Sequence, residues 1–360
     1  MRKIGILTFH RAINYGAQLQ AYALQQVVSR LGADCELVDY ICPAITKSYQ
    51  PFLIRREKPL LSFAKSCVMF RRRAKKAKSF ESFQQRIVKS AETYDPQTLN
   101  QANDRYDRFI TGSDQVFSPW CVDFDPAYFL TFADDSKKFS YAASFATREI
   151  PEDKKEEYIR RLSGFQRISV REEEGIRHVK DLCGKDAVVS LDPTMLLSQE
   201  HWRQIAVSRE QKPYILVYSL LGENGPLKFA RKLAKEKNMQ VICLRDAPHK
   251  PCRNVKFVRA ASVEEFLGYF MNAAHVVSNS FHATAFSVIF HRSMFIEFAC
   301  RSGRNVRAES LLTALGIRRE LSAGAAEETP IDWADVERRL SVLKETSMAY
   351  LKDIVLEETI

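Results

Sequence analysis

One histidine lies where a parallel α/β fold places reactive groups. His282 belongs to VVSNSFHATAFSVIF, residues 276–290, in which a strand, a short polar turn and a helix are predicted in succession. The imidazole would then lie in the first turn of a helix, where it can donate or accept a proton near neutral pH. A packed histidine that caps the helix is the alternative, and the polar residues 278–280 favour a functional role.

Arginines follow two further predicted strands. Arg171 comes directly after the strand in ISVREEEG, residues 168–175, where a guanidinium can hold a carboxylate or phosphate with two parallel hydrogen bonds. An ion pair with Glu172 or Glu174 at the start of the next helix is the alternative.

A second arginine group follows the last predicted strand, in CRSGRNVRAESLLTALGI, residues 300–317. Arg301, Arg304 and Arg307 surround a glycine and open a helix, a pattern that predicts an anion site. A solvated basic turn is the alternative and accounts for at least one of the three.

A loop near the start of the chain could contact a ligand at a helix terminus. In FHRAINYGAQLQAYAL, residues 9–24, Asn14 and Gly16 lie between a strand and the N-terminus of a helix, where free N–H groups and the helix dipole favour anions or sugar hydroxyls. Taken alone, a capping Asn14 and a turn-forming Gly16 are the better interpretation, because no GxGxxG is present.

A polar segment follows a strand in the middle of the first half. In TGSDQVFSPW, residues 111–120, Gly112, Ser113 and Asp114 fall at the carboxyl end of that strand. They could contact ligand across a cleft, and an ordinary turn is an equal alternative.

The elements that must position these residues alternate between strand and helix. The order strand 4–9, helix 17–31 and strand 36–40 is a βαβ unit and implies a parallel sheet. The alternation restarts at the apolar strand 214–221. We therefore expect an α/β fold with two doubly wound, Rossmann-like lobes, residues 1–208 and 209–360, with the ligand in the cleft between them. Asp332 is predicted to cap an amphipathic helix over 332–356 in the second lobe.

The net charge of +10 is concentrated in one segment. Residues 47–90 hold 13 Lys and Arg against two Glu, a local charge of +11, so the remainder carries about −1. This distribution argues against a broad nucleic-acid-binding face. The clustered cations and apolar residues of this segment are typical of an interfacial helix on an anionic membrane surface, and a solvated helix packed on the first lobe is the slightly favoured alternative.

Composition limits the remaining possibilities. The eight cysteines form no CxxC pair and no zinc-ligand spacing, so we expect reduced thiols in a cytoplasmic protein. No apolar run approaches the length of a membrane span, and the opening residues are expected to form a strand rather than a signal peptide. No carboxylate cluster indicates a metal.

The order and spacing of the motifs are more specific than any one of them. FHRAxNYGAxLQAYAL, GSDQVF, SVREE, LDPTMLL, NSFHATAFS and NVRAESLL together resemble the polysaccharide pyruvyl transferase family, from about residue 5 to residue 316. The resemblance implies a two-lobed fold similar to GT-B glycosyltransferases. It also implies transfer of a pyruvyl group from phosphoenolpyruvate, as co-substrate, to a sugar diol of a polysaccharide or lipid-linked glycan.

The resemblance assigns roles by position. His282 matches the family histidine and Arg171 the arginine after the first-lobe strand, and both are expected to be catalytic. Several members have Arg-Leu-His where this chain has Ser280-Phe281-His282, so the arginine group at 301–307 could supply the missing charge. The expected donor-binding residues are Asn279, Ser280, Phe281, Arg304, Asn305 and Arg307. No cofactor is expected beyond the co-substrate.

Two other functions remain open at this point. A nucleotide-sugar glycosyltransferase of the same fold would use a second-lobe carboxylate to hold the ribose, for which Glu297 is the nearest candidate. An inactive glycan-binding relative is the non-enzymatic alternative. The acceptor sugar, the linkage and the oligomeric state do not follow from the sequence.

Overall fold

The computed structural model describes residues 1–49, 59–220, 225–246, 249–298, 306–318 and 330–356, with the side chains of 59–69 left out. These residues form two lobes, each with a parallel sheet and helices packed on its faces. The expected α/β class with two doubly wound lobes is confirmed. The boundary at 208/209 stays a prediction.

The first lobe contains a seven-stranded sheet in the order β3-β2-β1-β4-β5-β6-β7. All its pairings are parallel. The order reverses between β1 and β4, which is where a doubly wound sheet opens a crevice at the carboxyl ends of its strands. The strands are β1 Lys3–Leu7, β2 Asp34–Tyr40, β3 Lys89–Tyr94, β4 Arg108–Asp114, β5 Lys138–Ala143, β6 Ile168–Val170 and β7 Ala187–Val189.

The second lobe repeats the arrangement with five parallel strands in the order β10-β9-β8-β11-β12. Its reversal lies between β8 and β11, so the two crevices can face each other. The strands are β8 Tyr214–Tyr218, β9 Gln240–Leu244, β10 Val255–Val258, β11 His275–Ser278 and β12 Ser293–Ile296.

Helices connect the strands of both sheets. The first-lobe helices are α1 Tyr15–Arg30, α2 Pro43–Ser48, α3 Pro59–Gln84, α4 Lys155–Leu162, α5 Glu173–Cys183 and α6 Gln199–Ile205. The remaining helices are α7 Gly225–Glu236, α8 Val263–Asn272, α9 Phe281–Ile289, α10 Val306–Ala314 and α11 Trp333–Leu356. None of the described helices is long and apolar enough to cross a membrane.

Helix α1 lies between the first sheet and the second lobe, and it is buried on nearly every side. The side-chain amides of this helix are buried, so they form hydrogen bonds with protein groups instead of with water. The side chain of Gln20 donates to Thr8 Oγ1 at 2.8 Å and accepts from the Ser113 N–H at 3.1 Å. Across the lobes, Tyr15 stacks on Phe266 with ring centroids 4.4 Å apart. The helix therefore holds the cleft-facing loop of the first lobe against the second lobe.

Helix α11 joins the two lobes. Near its start, His291 of the second lobe stacks on Trp333. Near its end, the Tyr350 hydroxyl donates to Ser140 O of β5 at 2.9 Å, and Ser347 Oγ accepts from Leu191 N at 2.9 Å. The predicted N-cap is confirmed, because Asp332 Oδ1 accepts from the N–H groups of residues 334 and 335. The sequence placed this helix in the second lobe, whereas its last turns contact the first.

The basic segment contains a helix and a strand. Within α3, Phe80 and Phe83 are buried in the core, so these two aromatics do not contribute to an exposed apolar face. Arg71, Arg72 and Lys75 are exposed on the same helix. Strand β3 was not predicted, since its sequence KSAETY lacks apolar alternation and forms only the edge of the sheet.

Candidate active site

A cleft of about 610 Å³ opens where the two sheets turn their carboxyl ends toward each other. The first lobe contributes the loop before α1 and the end of β4, and the second contributes the ends of β8 and β11. Of the residues predicted from sequence, the structure brings seven together here: Asn14, Gly16, Asp114, Ser280, Phe281, His282 and Arg307. Their roles in catalysis or binding stay predictions.

His282 lies in the first turn of α9, as the sequence predicted, and it is 7% exposed. Its Nε2 atom is buried and makes no hydrogen bond within the described residues. The Nδ1 edge faces the first lobe, because a Cβ built on Gly16 would lie 2.0 Å from that nitrogen. The histidine thus contacts both lobes with its two ring nitrogens in different surroundings.

The sequence left a structural role and a place in the cleft as alternatives for Asn14 and Gly16. In the structure both residues have both. The Asn14 side chain caps α1 by accepting from Ala17 N at 3.2 Å. Both residues also line the cleft. Gly16 leaves room for the His282 ring, which any larger residue would displace.

Arg171 is buried behind the cleft rather than on its surface. Its side chain is 1% exposed, its Nη2 forms an ion pair with Asp192 Oδ2 at 2.7 Å, and the same nitrogen donates a hydrogen bond to Ser113 Oγ at 2.5 Å. The guanidinium carbon lies 4.7 Å from the centre of the Phe281 ring. The sequence left an ion pair of Arg171 with Glu172 or Glu174 as an alternative; in the structure Arg171 is ion-paired, but with Asp192.

Asp192 is the main site residue that sequence reasoning missed. It belongs to LDPTMLL, a motif noted only for resemblance, and its carboxylate is buried just after β7. Burial opposes its ionisation, but Arg171 and His282 outweigh that effect and hold the pKa of Asp192 below its ordinary value. A polar LDPT segment after a strand was the available signal.

Arg307 supplies a cation to the cleft beside Phe281. Its guanidinium carbon lies 5.5 Å from the centre of that ring, and Nη1 lies 3.7 Å from Asp114 Oδ1. Gln115, which no sequence pattern indicated, faces Nη1 at 3.2 Å in the amide orientation that satisfies both groups. Burial and the neighbouring Arg171 lower the pKa of Arg307. An arginine is thus present near Ser280-Phe281-His282, although it comes from another helix.

Gly112 and Ser113 shape the end of β4 instead of lining the cleft. They are joined by a cis peptide bond, and Gly112 adopts a φ of +114° that favours glycine. A Cβ at Gly112 would lie 2.2 Å from Tyr141 O. Ser113 is fully buried and donates to Ala142 O at 2.8 Å. Of the predicted trio, only Asp114 reaches the cleft.

Asn279 ties the second-lobe strands together beneath the cleft. Its Oδ1 accepts from Leu220 N at 3.0 Å, and its Nδ2 donates to Glu297 Oε2 at 3.4 Å. Ser280 is the N-cap of α9, but its side chain makes no capping hydrogen bond. The first turn of α9 therefore keeps N–H groups for another acceptor.

Glu172 is a buried carboxylate next to the arginines. Its Oε1 accepts from Ser144 Oγ and from the N–H groups of Phe145 and Ala146, at 2.8–3.0 Å. Burial raises its pKa, although these bonds and the arginines oppose that effect. Two guanidinium groups, those of Arg171 and Arg307, thus lie against the Phe281 ring, and the carboxylates of residues 114, 172 and 192 interact with these arginines.

Three predicted residues, Arg301, Arg304 and Asn305, lie outside the described residues. In the part of the chain that the structure describes, no group of three or more His, Cys, Asp or Glu side chains could hold a metal ion.

Two facing Rossmann-like lobes with a cleft between them define a GT-B-like fold. The model of the polysaccharide pyruvyl transferase family matches residues 14–296. The chain therefore belongs to the polysaccharide pyruvyl transferase family, a family of transferases that act on polysaccharide. A search of curated proteins finds no match to the sequence.

Solved structures share the fold at low sequence identity. The chain is similar to MnaA of S. aureus in a structure with UDP, with a TM-score of 0.51, 11% identity and coverage of 98% of this chain and 90% of that one. A putative UDP-N-acetylglucosamine 2-epimerase from Listeria monocytogenes gives a TM-score of 0.50 and 10% identity over 99% and 91% of the two chains. At this identity the similarity shows the fold alone.

Proposed function

We propose that this transferase moves a pyruvyl group from phosphoenolpyruvate to two hydroxyls of a sugar in a polysaccharide or lipid-linked glycan, and forms a cyclic ketal. The proposal rests on the position of His282. This histidine lies in the cleft between the lobes, together with Arg307 and the uncapped N-terminus of α9. Family membership supports a pyruvyl transferase, and the donor is our inference.

The reaction requires one acid, and it requires acceptors for the two protons that the sugar hydroxyls lose. Protonation of the methylene carbon forms a C–H bond from the electrons of the double bond and makes the central carbon electrophilic. One sugar hydroxyl adds to that carbon, phosphate leaves with the C–O electrons, and the second hydroxyl closes the ring. Of the two hydroxyl protons, one replaces the proton that the acid gave up and the other leaves with phosphate. His282 is the group placed to give and regain the proton.

The donor carries a carboxylate and a phosphate, so its site needs cations and free N–H groups. Arg307 and the first turn of α9 provide both at the cleft surface. Arg171 contributes its charge from behind Phe281 and Asp192. Three carboxylates also lie nearby, and burial raises the pKa of one of them, Glu172.

The test is donor turnover with defined acceptors. Purified protein would be incubated with phosphoenolpyruvate and a panel of glycans with neighbouring free hydroxyls, and phosphate release and ketal formation would be followed together. In deuterium oxide the new methyl group should carry one deuteron. Phosphate release without a ketal, or no release with any acceptor, would contradict the proposal.

The glycosyltransferase alternative predicts turnover of nucleotide sugars in the same assay. Its expected carboxylate, Glu297, accepts from Asn279 and is not among the described residues that line the cleft. No contact of the described residues favours this second function over the first.

We also propose that the exposed cations of α3 hold the enzyme weakly at an anionic membrane surface, where a lipid-linked acceptor would lie. Arg71, Arg72 and Lys75 are exposed on this helix, whereas Lys76 pairs with Asp246 of the second lobe. Each exposed cation near such a surface contributes about 1 kcal/mol. The attraction is therefore reversible and sensitive to salt.

Flotation with vesicles that contain phosphatidylserine tests this docking at low and high salt. Replacing Arg71, Arg72 and Lys75 with serine should abolish flotation at low salt. The matched control replaces Arg231, Lys232 and Lys235, three exposed cations of α7, and should float like the unmodified protein. Equal losses in both variants, or no flotation at all, would exclude docking through α3.

A further inference from the structure

The carboxylate of Asp192 is held in a fixed orientation by its own turn. Its Oδ1 accepts from Thr194 N at 3.0 Å and from Thr194 Oγ1 at 2.6 Å. The other oxygen, Oδ2, lies 2.7 Å from Arg171 Nη2 and 3.6 Å from His282 Nε2. A single fully buried oxygen thus lies between the arginine and the histidine predicted to be catalytic.

The histidine and the carboxylate come from different lobes and fall just short of a hydrogen bond. Neither His282 Nε2 nor Asp192 Oδ2 has a hydrogen-bond partner within the described residues, and both are shielded from water. An N–H···O bond is usually about 2.9 Å long, so an approach of roughly 0.7 Å would form one. Asp192 Oδ2 already has the Arg171 ion pair, but a buried polar atom without a hydrogen bond is costly, so the formation of this bond would be favourable.

We propose that Asp192 is a positioning residue, which accepts a hydrogen bond from Nε2–H of His282 and leaves Nδ1 to exchange a proton with the substrate. The Nδ1 edge faces Gly16, a residue that lines the cleft, whereas Nε2 is buried. With the neutral ring's proton fixed on Nε2, Nδ1 is the basic atom, which is the arrangement that a carboxylate imposes on a catalytic imidazole.

Arg171 keeps Asp192 from taking the proton itself. The ion pair with the guanidinium favours the ionised carboxylate, so Asp192 orients the ring and stabilises the imidazolium without being protonated. In the donor step, the Nδ1–H bond electrons remain on nitrogen while the proton moves to the methylene carbon. The ring is then neutral with its proton on Nε2. A sugar hydroxyl later returns a proton to Nδ1. The identity of the substrate in these steps rests on the proposed function.

The primary test is the tautomer of His282 in the full-length protein, measured by long-range proton–nitrogen NMR of the histidine rings. The His282→Gln variant assigns the signal among the seven histidines. We expect the neutral ring to hold its proton on Nε2, and Asp192→Asn to abolish this preference. Asp39→Asn is the matched control, since Asp39 is a buried carboxylate 2.9 Å from His10 Nε2 in the same lobe. It should leave the His282 signal unchanged.

Kinetics with phosphoenolpyruvate separates positioning from structure. Asp192→Asn should lower kcat by about 10³- to 10⁴-fold with little change in KM, as expected when an imidazole loses its orienting carboxylate. In a His282→Gln background the same substitution should change kcat by less than about threefold, because the two residues act as a unit.

Two results would overturn the inference. One is a neutral His282 with its proton on Nδ1 in the unmodified protein, a measurement that needs no variant and no turnover. The other is an undiminished effect of Asp192→Asn in the His282→Gln background, which would mean that Asp192 acts only through Arg171. If phosphoenolpyruvate is not a substrate, the tautomer measurement still decides the role of Asp192, and the failure of the proposed function is identified separately.

Discussion

At the scale of single residues, the candidate site depends on side chains that contact each other across the cleft. His282 contacts Gly16 of the first lobe at one ring edge and approaches Asp192 at the other. Both of these contacts are made with the first lobe rather than within its own lobe. Substitution of His282 should therefore change the reaction much more than the fold.

His282→Ala is expected to lower the rate of pyruvyl transfer by about 10²- to 10⁴-fold, the usual contribution of a general acid–base group. The melting temperature should change little. The control is His291→Ala, which removes a half-exposed histidine that pairs with Glu337 on the surface. Near-normal turnover in His282→Ala would exclude the histidine as the proton-transfer group.

Gly16→Ala should inactivate the enzyme by displacing the imidazole, since the new methyl group would lie 2.0 Å from His282 Nδ1. We expect kcat to fall while the far-ultraviolet circular dichroism is unchanged. Gly32→Ala is the contrasting variant. Its φ of +93° makes alanine unfavourable by about 1–2 kcal/mol, but no atom lies within 4 Å, so only stability should fall. An active Gly16→Ala enzyme would show that the ring position is not critical.

The sequence predicted well which residue types would reach the cleft. It predicted less well which side chains those residues would contact. His282 and Arg307 follow strands at the carboxyl ends of the sheets, and that local pattern is readable along the chain. The Arg171–Asp192 ion pair was not predictable in this way. It joins residues that follow two neighbouring strands, and nothing in either local sequence specifies the pairing.

At the scale of elements, a buried ion-pair network fixes the loop between β1 and α1. Asp39 of β2 lies 2.9 Å from His10 Nε2 and accepts from both Nε and Nη2 of Arg11, and Thr93 of β3 donates to it at 3.1 Å. Burial alone would raise the pKa of Asp39, but His10 and Arg11 outweigh it and hold the value below the ordinary range.

The effect of Asp39→Asn on stability should therefore depend on pH. A carboxyl group whose pKa is lowered by folding stabilises the protein above its unfolded pKa, about 3.9, and loses that contribution as pH falls toward the folded value. Urea unfolding measures the free energy of unfolding of Asp39→Asn and of the unmodified protein. The difference between the two values should be full at pH 7 and smaller at pH 3. A difference that stays constant or grows in acid would contradict the assignment.

Most elements were predictable because apolar and polar residues alternate with the period of the element they form. Strands with apolar cores, such as β8, and helices with a cap, such as α11, followed their patterns. Helix α6, which ends shortly before the predicted boundary at 208/209, was not predicted. Its buried Trp202 and the Ser198 cap, which accepts from His201 N at 3.1 Å, stabilise it through contacts that the local composition does not indicate.

At the scale of the whole molecule, α11 makes the two lobes depend on each other. Tyr350, on its last turns, is buried against β5, and its ring lies 5.1 Å from the guanidinium carbon of Arg167. The hydrophobic core is likewise continuous between the lobes, and extends from α1 through α8 to α11.

Tyr350→Ala should destabilise the protein by about 3–5 kcal/mol, because it leaves a cavity under the helix and removes the hydrogen bond to Ser140 O. Chemical unfolding measures the change. Val342→Ala, on the exposed side of the same helix, should stay within about 0.5 kcal/mol of the unmodified protein. If the two variants lose equal stability, the end of α11 does not anchor the first lobe.

The return of α11 to the first lobe also sets an order of events during synthesis. Its hydrogen bond from Tyr350 to Ser140 joins residues 210 positions apart. At a translation rate of about 5–20 residues per second, β5 leaves the ribosome roughly 10–40 s before the helix that covers it. The nascent first lobe must therefore remain with an apolar face open to solvent or to a chaperone, and it can reach its final packing only after almost the entire second lobe has been made.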